Sequence, residues 1–306
     1  MNLAQRALAK LSVAIRRRAF DAVANRILDT PPLKMADEGL LFASMCSHAD
    51  VTRYLLALKS IYRFVGTGGA VVINDGSMTD QDFETIRRHV PLCRFVDMAT
   101  VERGPCPRGG AWERLLQIMD LTQTHYVIQI DSDTLTRGPV GELVAAYQQN
   151  RSWLLGTDVG LRVQPASEVA EMVRGWPQRP RHIIVQAEIA LGDAPELAGS
   201  AYCHASAGFA GFARGAFSRE AVYAFSKRME AMLGEGWAIW GTEQVTSNWV
   251  IANTPDPLVL PFDRYACFEP GVDPDIRTFL HFIGSYRYDR NVYRDMATEV
   301  VKALSK

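Results

Sequence analysis

Two short apolar runs, each stopping at a carboxylate-bearing turn, constrain this chain more than any other feature of its sequence. Gly69-Ala70-Val71-Val72-Ile73 ends in Asn74-Asp75-Gly76-Ser77, and Tyr126-Val127-Ile128-Gln129-Ile130 runs into Asp131-Ser132-Asp133. Runs this short, rich in β-branched residues and lacking polar alternation, read as strands buried on both faces. Helical patterns separate them: residues 50–65, a segment capped near Thr79 or Asp80, and residues 110–121, with further strands at 39–46, 92–96 and 153–156. Strand, helix, strand, helix predicts an α/β fold on a Rossmann-like open, mostly parallel sheet. Ligands of such sheets bind outside the carboxyl ends of the strands, where Asp75 and Asp131 fall.

The composition suits such a body. Apolar residues make up 48% and charged residues 22%, which excludes a chain disordered throughout. Lys+Arg 33 against Asp+Glu 34 leaves a formal net charge of -1, so no global positive field draws in nucleic acid. Cys46, Cys93, Cys106, Cys203 and Cys267 are odd in number and far apart, which predicts reduced thiols rather than zinc or dithiol chemistry. No stretch approaches the roughly 20 apolar residues of a spanning helix, and no apolar run of signal-peptide length opens the chain. A cytoplasmic protein is expected.

The first thirty residues differ from the rest. Arg6, Lys10, Arg16, Arg17, Arg18 and Arg26 against Asp21 and Asp29 give +4, leaving -5 for the remainder. Leu8, Leu11, Ile15, Ala19, Ala22, Val23 and Ile27 recur at three- and four-residue steps up to Thr30-Pro31-Pro32, which predicts one basic amphipathic helix. Such a helix either lies peripherally at the inner face of an anionic membrane or docks its apolar stripe on its own domain or on a second subunit.

Asp131-Ser132-Asp133 sets two carboxylates two residues apart, where a turn can aim both at one hard divalent cation such as Mg²⁺ or Mn²⁺. The same pattern also serves as a plain cap and turn. His281-Phe282-Ile283-Gly284-Ser285-Tyr286-Arg287 is the second cluster. A neutral imidazole can complete a metal shell, Gly284 lets backbone approach a phosphate, and Arg287 offers a planar fork to phosphate oxygens. A histidine in an apolar segment can equally be a satisfied core residue.

Together these clusters resemble those of GT-A fold nucleotide-sugar glycosyltransferases, most nearly the family-eight type, in which Asp-x-Asp after an apolar strand is followed much later by His-x-x-Gly-x-x-Lys. Asp131-Ser132-Asp133 matches the first motif and His281-x-x-Gly284-x-x-Arg287 the second, with Arg for the final Lys. The resemblance covers most of residues 40–290. It implies metal-dependent transfer of a hexose from a UDP-sugar to a hydroxyl of a carbohydrate or lipid-linked acceptor, as in polysaccharide biosynthesis. It also implies Mn²⁺ or Mg²⁺ on Asp131, Asp133 and His281, with donor contacts from Ser132, Gly284 and Arg287. Residues 108–115 resemble the family helix whose arginine, here Arg114, reaches the diphosphate or sugar. Asp75 stands in a turn similar to the Asp-Gly-Ser turn of family-two transferases, whose acid reads the base, here uracil or ribose.

Residues 206–212 resemble the Gly-rich segment lining the sugar pocket, where missing side chains admit a pyranose, although tight packing also demands glycine. Trp240-Gly241-Thr242-Glu243-Gln244 resembles the Asp-Gln-Asp segment of family eight, with Glu243 for the first acid and Val245 in place of the second. Glu243 is a candidate general base for an inverting enzyme, and Gln244 a candidate stabiliser of the oxocarbenium-like state for a retaining one. His204 stands where it would touch the acceptor or act as a buried structural residue. On this reading residues 1–32 are the N-terminal helix and 33–306 a single domain, with a nucleotide-binding half at 33–150 and an acceptor half with C-terminal tail at 151–306. The alternatives are an inactive sugar-nucleotide-binding protein of the same fold, which Val245 would suit, and a haloacid-dehalogenase-like phosphatase. For the later lysine of the phosphatase the chain offers only Lys227, Lys302 and Lys306.

Overall fold

The computed structural model describes residues 3–176 and 182–305; the Pro- and Arg-rich loop read at 177–181 lies outside the described residues. In chain order the strands are β1 (Leu40–Cys46), β2 (Gly69–Asn74), β3 (Cys93–Asp97), β4 (Tyr126–Ile130), β5 (Thr134–Thr136), β6 (Trp153–Gly156), β7 (Gln164–Pro165), β8 (Ala201–Tyr202), β9 (Ala205–Phe212), β10 (Leu258–Val259), β11 (Tyr265–Cys267) and β12 (Phe279–His281). The helices are α1 (Leu3–Ala24), α2 (Val51–Val65), α3 (Asp80–His89), α4 (Trp112–Thr122), α5 (Gly141–Gln148), α6 (Ala166–Arg174), α7 (Ile183–Asp193), α8 (Arg219–Leu233), α9 (Thr242–Ala252) and α10 (Val292–Leu304).

Seven strands form the central sheet in the order β10-β6-β9-β4-β1-β2-β3. The pairs β1–β2, β1–β4, β2–β3 and β6–β10 are parallel, while β9 runs antiparallel between β4 and β6. All five residues of β4 are buried, as expected of a strand covered on both faces. Helix α3 starts where its sequence signals: Thr79 and Asp82 exchange side-chain-to-backbone hydrogen bonds as a reciprocal cap.

A second sheet of three strands, β11-β12-β5, governs the site. β12 pairs antiparallel with β5, and His281 lies opposite Thr134. That register carries His281 back to Asp133 although the two are far apart in sequence.

The Gly-rich segment is part of the fully buried strand β9. A Cβ on Gly208 would lie 2.0 Å from the His281 ring, and one on Gly211 would lie 2.1 Å from the Trp153 indole. Packing against these two rings therefore explains the glycines, with Ser206, Ala207 and Gly208 also lining the cavity described below.

The N-terminal segment is helical, but its periodic residues do not make one buried stripe. Phe20, Ala24 and Ile27 are buried, and Phe20 stacks on Tyr293 of α10 with ring centroids 3.9 Å apart. Leu8, Leu11 and Ile15 remain exposed. At ~100° per residue these three project roughly opposite to Phe20, so the helix has two apolar faces where its periodicity alone predicts one stripe.

Candidate active site

The carboxyl ends of β1 and β4 and the N-termini of α4 and α9 open onto a cavity of about 1280 Å³. One-ligand pockets usually measure ~300–1,000 Å³, so there is room for more than one substrate. Asp131 and Asp133 sit in the turn leaving β4. The Asp131 amide donates to Gly208 O at 2.9 Å and the Phe282 amide to Asp133 O at 2.8 Å, which fixes the turn from both sides.

His281 Nε2 lies 3.2 Å from Asp133 Oδ1 and 3.7 Å from Asp131 Oδ2. Its Nδ1 is 3.2 Å from Ser206 Oγ. One atom from each of Asp131, Asp133 and His281 falls within 4.8 Å of the others. Two carboxylates supply hard oxygen donors and the imidazole a borderline nitrogen, a set that suits a divalent cation such as Mn²⁺ and less closely Mg²⁺. The three residues could hold a metal ion.

Electrostatics bind the cluster together. Burial lifts the Asp131 carboxyl above its usual range, with Arg114 and His281 only partly opposing it. Asp133 is buried too, yet the His281 and Arg287 charges hold it below the usual range. Burial pulls the His281 imidazole down, but Asp133 outweighs that and keeps the ring protonated well above ordinary histidine values. Cation binding would displace this proton, because a ligating imidazole is neutral.

Two arginines flank the acids. Arg287 donates to Asp133 Oδ2, and its Nε donates to Phe282 O at 3.0 Å. Arg114, on the first turn of α4, donates to Asp131 Oδ1 and, at 3.3 Å, to Glu243 Oε1 on the first turn of α9. Trp112 Nε1 donates to Thr242 Oγ1 at 3.2 Å, tying the two helix starts together. Burial pushes Glu243 up to about 7, against the pull of Arg114 and with Asp131 adding to the rise. Gln244 lines the cavity and accepts from the Ala207 amide at 3.5 Å. Gly284, with φ +47°, and Ser132 line it as well.

The structure does not bring every sequence candidate to this point. Asp75 is exposed, accepts from Ser77 N at 2.9 Å and from Ser77 Oγ at 2.6 Å, and is not among the cavity-lining residues. Val245 is buried in the apolar core.

His204, one of the sequence candidates, reaches this cavity, and Glu188, Tyr202 and Trp176 around it are the residues the sequence reading missed. His204 lines the cavity just before β9, and its Nδ1 meets Glu188 Oε1 at 2.7 Å. That oxygen also accepts from the Tyr202 hydroxyl at 3.0 Å, while Glu188 Oε2 is buried without a partner among the described residues. Trp176 packs edge-on to the His204 ring at 5.1 Å. Trp240, 70% exposed, stands on the cavity wall next to Gly241. A lone carboxylate in the apolar run Ile183-Ile184-Val185-Gln186-Ala187-Glu188-Ile189-Ala190 was the available signal, since a buried acid demands a partner.

No protein-family model matches the chain, and no curated protein matches it. Solved structures do. The bifunctional glycosyltransferase WbbM matches over 88% of this chain with a TM-score of 0.56 and 14% identity. The match covers 51% of WbbM, so the chain spans about half that protein's length. An active-site mutant of the galactosyltransferase LgtC matches over 87% of this chain and 96% of its own, with a TM-score of 0.55 and 10% identity. The mostly parallel seven-stranded sheet, with its carboxylate turn at the end of β4, is a GT-A fold.

Proposed function

We propose that the protein is a metal-dependent glycosyltransferase of the family-eight kind, moving a hexose from a UDP-sugar to a hydroxyl of a carbohydrate or lipid-linked acceptor. The observation that carries this reading is the convergence of Asp131, Asp133 and His281 at one wall of a cavity of about 1280 Å³. Mn²⁺ or Mg²⁺ held by these residues would neutralise the charge that gathers on the departing diphosphate.

The chain's own groups supply the rest. Arg287 and Arg114 are placed to exchange their carboxylate partners for diphosphate oxygens, both being planar donor forks. Ser132 and Gly284 offer backbone beside them. Glu243 and Gln244, on the first turn of α9, face the anomeric carbon. His204, with Nδ1 committed to Glu188, presents Nε2 to an acceptor hydroxyl. Residues 33–306 act as one domain on this reading, with the donor bound toward the 33–150 half.

Titrating UDP calorimetrically with and without Mn²⁺, and repeating with Asp131→Asn, tests the proposal. Binding should require the cation and vanish in the variant. If UDP gives no heat in either state with the fold intact, UDP as donor nucleotide is refuted. Slow release of sugar from a bound UDP-sugar separates an active transferase from an inactive sugar-nucleotide-binding protein.

A further inference from the structure

Helix α1 carries two apolar faces, and the fold uses one. The inner face rests on the C-terminal tail: Phe20 stacks on Tyr293, and Arg16 Nη1 donates to Asp289 Oδ1 at 2.9 Å and to Tyr288 O at 3.3 Å. On the outer face Leu8 is 66% exposed, and Leu11 and Ile15 are each 58% exposed. These three project within about 60° of one another on a regular helix. Arg18 is exposed beside them, about 20° from Leu11, while the exposed Lys10 and Arg17 lie about 100–120° from Leu11 toward the docked face. Arg17 pairs with Asp21 at 3.7 Å, and neither Lys10 nor Arg18 has an ion-pair partner among the described residues.

Three large aliphatic side chains at helical spacing, bordered on one side by cations long enough to reach lipid phosphates, match the chemistry of an anionic lipid interface. A second copy fits poorly, because an isologous contact would set two segments of +4 against each other. Among the described residues no helix is long and apolar enough to cross a membrane, so the contact would be peripheral. We propose that α1 lays Leu8, Leu11 and Ile15 into the headgroup region of an anionic phospholipid bilayer, with Lys10, Arg17 and Arg18 on the lipid phosphates.

The inner face gives this contact a consequence for the site, one that rests on the proposed transferase reading. Tyr293 lies between Phe20 and Phe282, with centroids 3.9 and 4.2 Å away, and its hydroxyl donates to Ser132 O at 3.4 Å. Asp289, held by Arg16, is two residues from Arg287. The helix on the bilayer would thus brace the tail that reaches the two carboxylates, and an acceptor anchored in that bilayer would be presented beside the cavity.

The test is co-sedimentation of the full chain with vesicles of phosphatidylcholine alone and of phosphatidylcholine mixed with phosphatidylglycerol. The protein should bind the mixed vesicles, and added salt should weaken that binding. Leu11→Glu with Ile15→Glu should lower partitioning about tenfold or more, and Arg17→Ser with Arg18→Ser should cut the preference for anionic lipid several-fold. The proposal is overturned if the protein ignores both vesicle types, if the leucine and isoleucine variants bind unchanged, or if light scattering shows a dimer that these variants dissociate. Because the substituted residues are exposed, the variants should fold and keep the UDP titration of the parent chain. Loss of UDP binding in every chain, with vesicle binding intact, would defeat the transferase reading and leave the docking surface standing.

Discussion

Replacing Gly208 by alanine would put a methyl group where the His281 imidazole lies. The Cβ would be 2.0 Å from Cε1, 2.4 Å from Nδ1 and 2.6 Å from Nε2, against an ordinary contact of at least 3.4 Å. Either the ring retreats by about 1.4 Å or the strand moves away from it. On the β4 side Phe209 pairs with Ile130 and Gly208 O accepts the Asp131 amide, so a shift of the strand drags the carboxylate turn with it, while on the β6 side the register shifts between Leu154 and Leu155 and skips residues 207–209. Either movement disturbs the spacing of His281 and Asp131, and metal ligands tolerate displacements of only ~0.2 Å. We expect metal-dependent UDP affinity to fall about 10- to 100-fold, and overpacking to cost about 1–3 kcal/mol of stability. Calorimetry with Mn²⁺ reads the first effect and thermal denaturation the second. Adding His281→Ala to Gly208→Ala should recover the lost melting temperature without restoring metal-dependent binding, because the two side chains compete for one space. A Gly208→Ala protein that binds UDP and Mn²⁺ like the parent would refute the placement of His281 at the carboxylate pair.

Arg114→Met should remove the cation shared by Asp131 and Glu243 and destabilise the fold by about 3–5 kcal/mol, as breaking a buried pair does; in urea titrations, adding Glu243→Gln should return part of that loss, and failure to do so would deny the pairing. Glu188→Gln should leave UDP binding and donor hydrolysis unchanged while lowering transfer to an added sugar acceptor, and equal transfer would show that the His204–Glu188 contact has no part in acceptor binding. Stability should fall with pH through His89, which burial, helped by the Lys59 and Arg88 charges, lowers from 6.5 to about 4. Lys59 Nζ sits 2.9 Å from His89 Nδ1 and also donates to Thr30 Oγ1 and Pro31 O, so the ring must stay neutral. The folded value lies below the unfolded one, so the contribution, roughly 3 kcal/mol, is complete above about pH 6.5 and is lost as the pH drops toward 4. His89→Gln should flatten that decline in melting temperature, and an unchanged slope would reject the assignment.

The parts of the site legible in the sequence are those whose chemistry is local. Asp131 and Asp133 are neighbours on one turn, and the strand before them announces itself by composition. His281 and Arg287 could be named from their own segment. What brings them to the carboxylates is the antiparallel pairing of β12 with β5, and no short window of sequence encodes a pairing between segments so distant. The same limit hid the reversed direction of β9, because a buried strand has one apolar pattern whichever way it runs. Asp75 is the converse case. Its Asp-Gly-Ser turn was read for a ligand, and local geometry alone satisfies the carboxylate through Ser77. On α1, period alone grouped Leu8 with Ile27, and only the docked position of Phe20 shows that the helix has two apolar faces.

The charges around the cavity also explain why the calorimetric experiment discriminates. Asp131, Asp133 and Glu243 are set against Arg114, Arg287 and a protonated His281, so the cluster is close to neutral by itself. A divalent cation arriving alone would displace the imidazole proton and leave surplus positive charge beside two guanidiniums. A diphosphate arriving alone would draw Arg114 and Arg287 off their carboxylates and leave the buried Asp133 and Glu243 and the half-buried Asp131 uncompensated. Each incomplete state carries unpaired charge in a poorly solvated place, which is costly. With both ligands present, the carboxylates and imidazole face the cation while the guanidiniums face the phosphate oxygens. Metal and nucleotide should therefore bind as one thermodynamically coupled event, with proton release from His281 accompanying it.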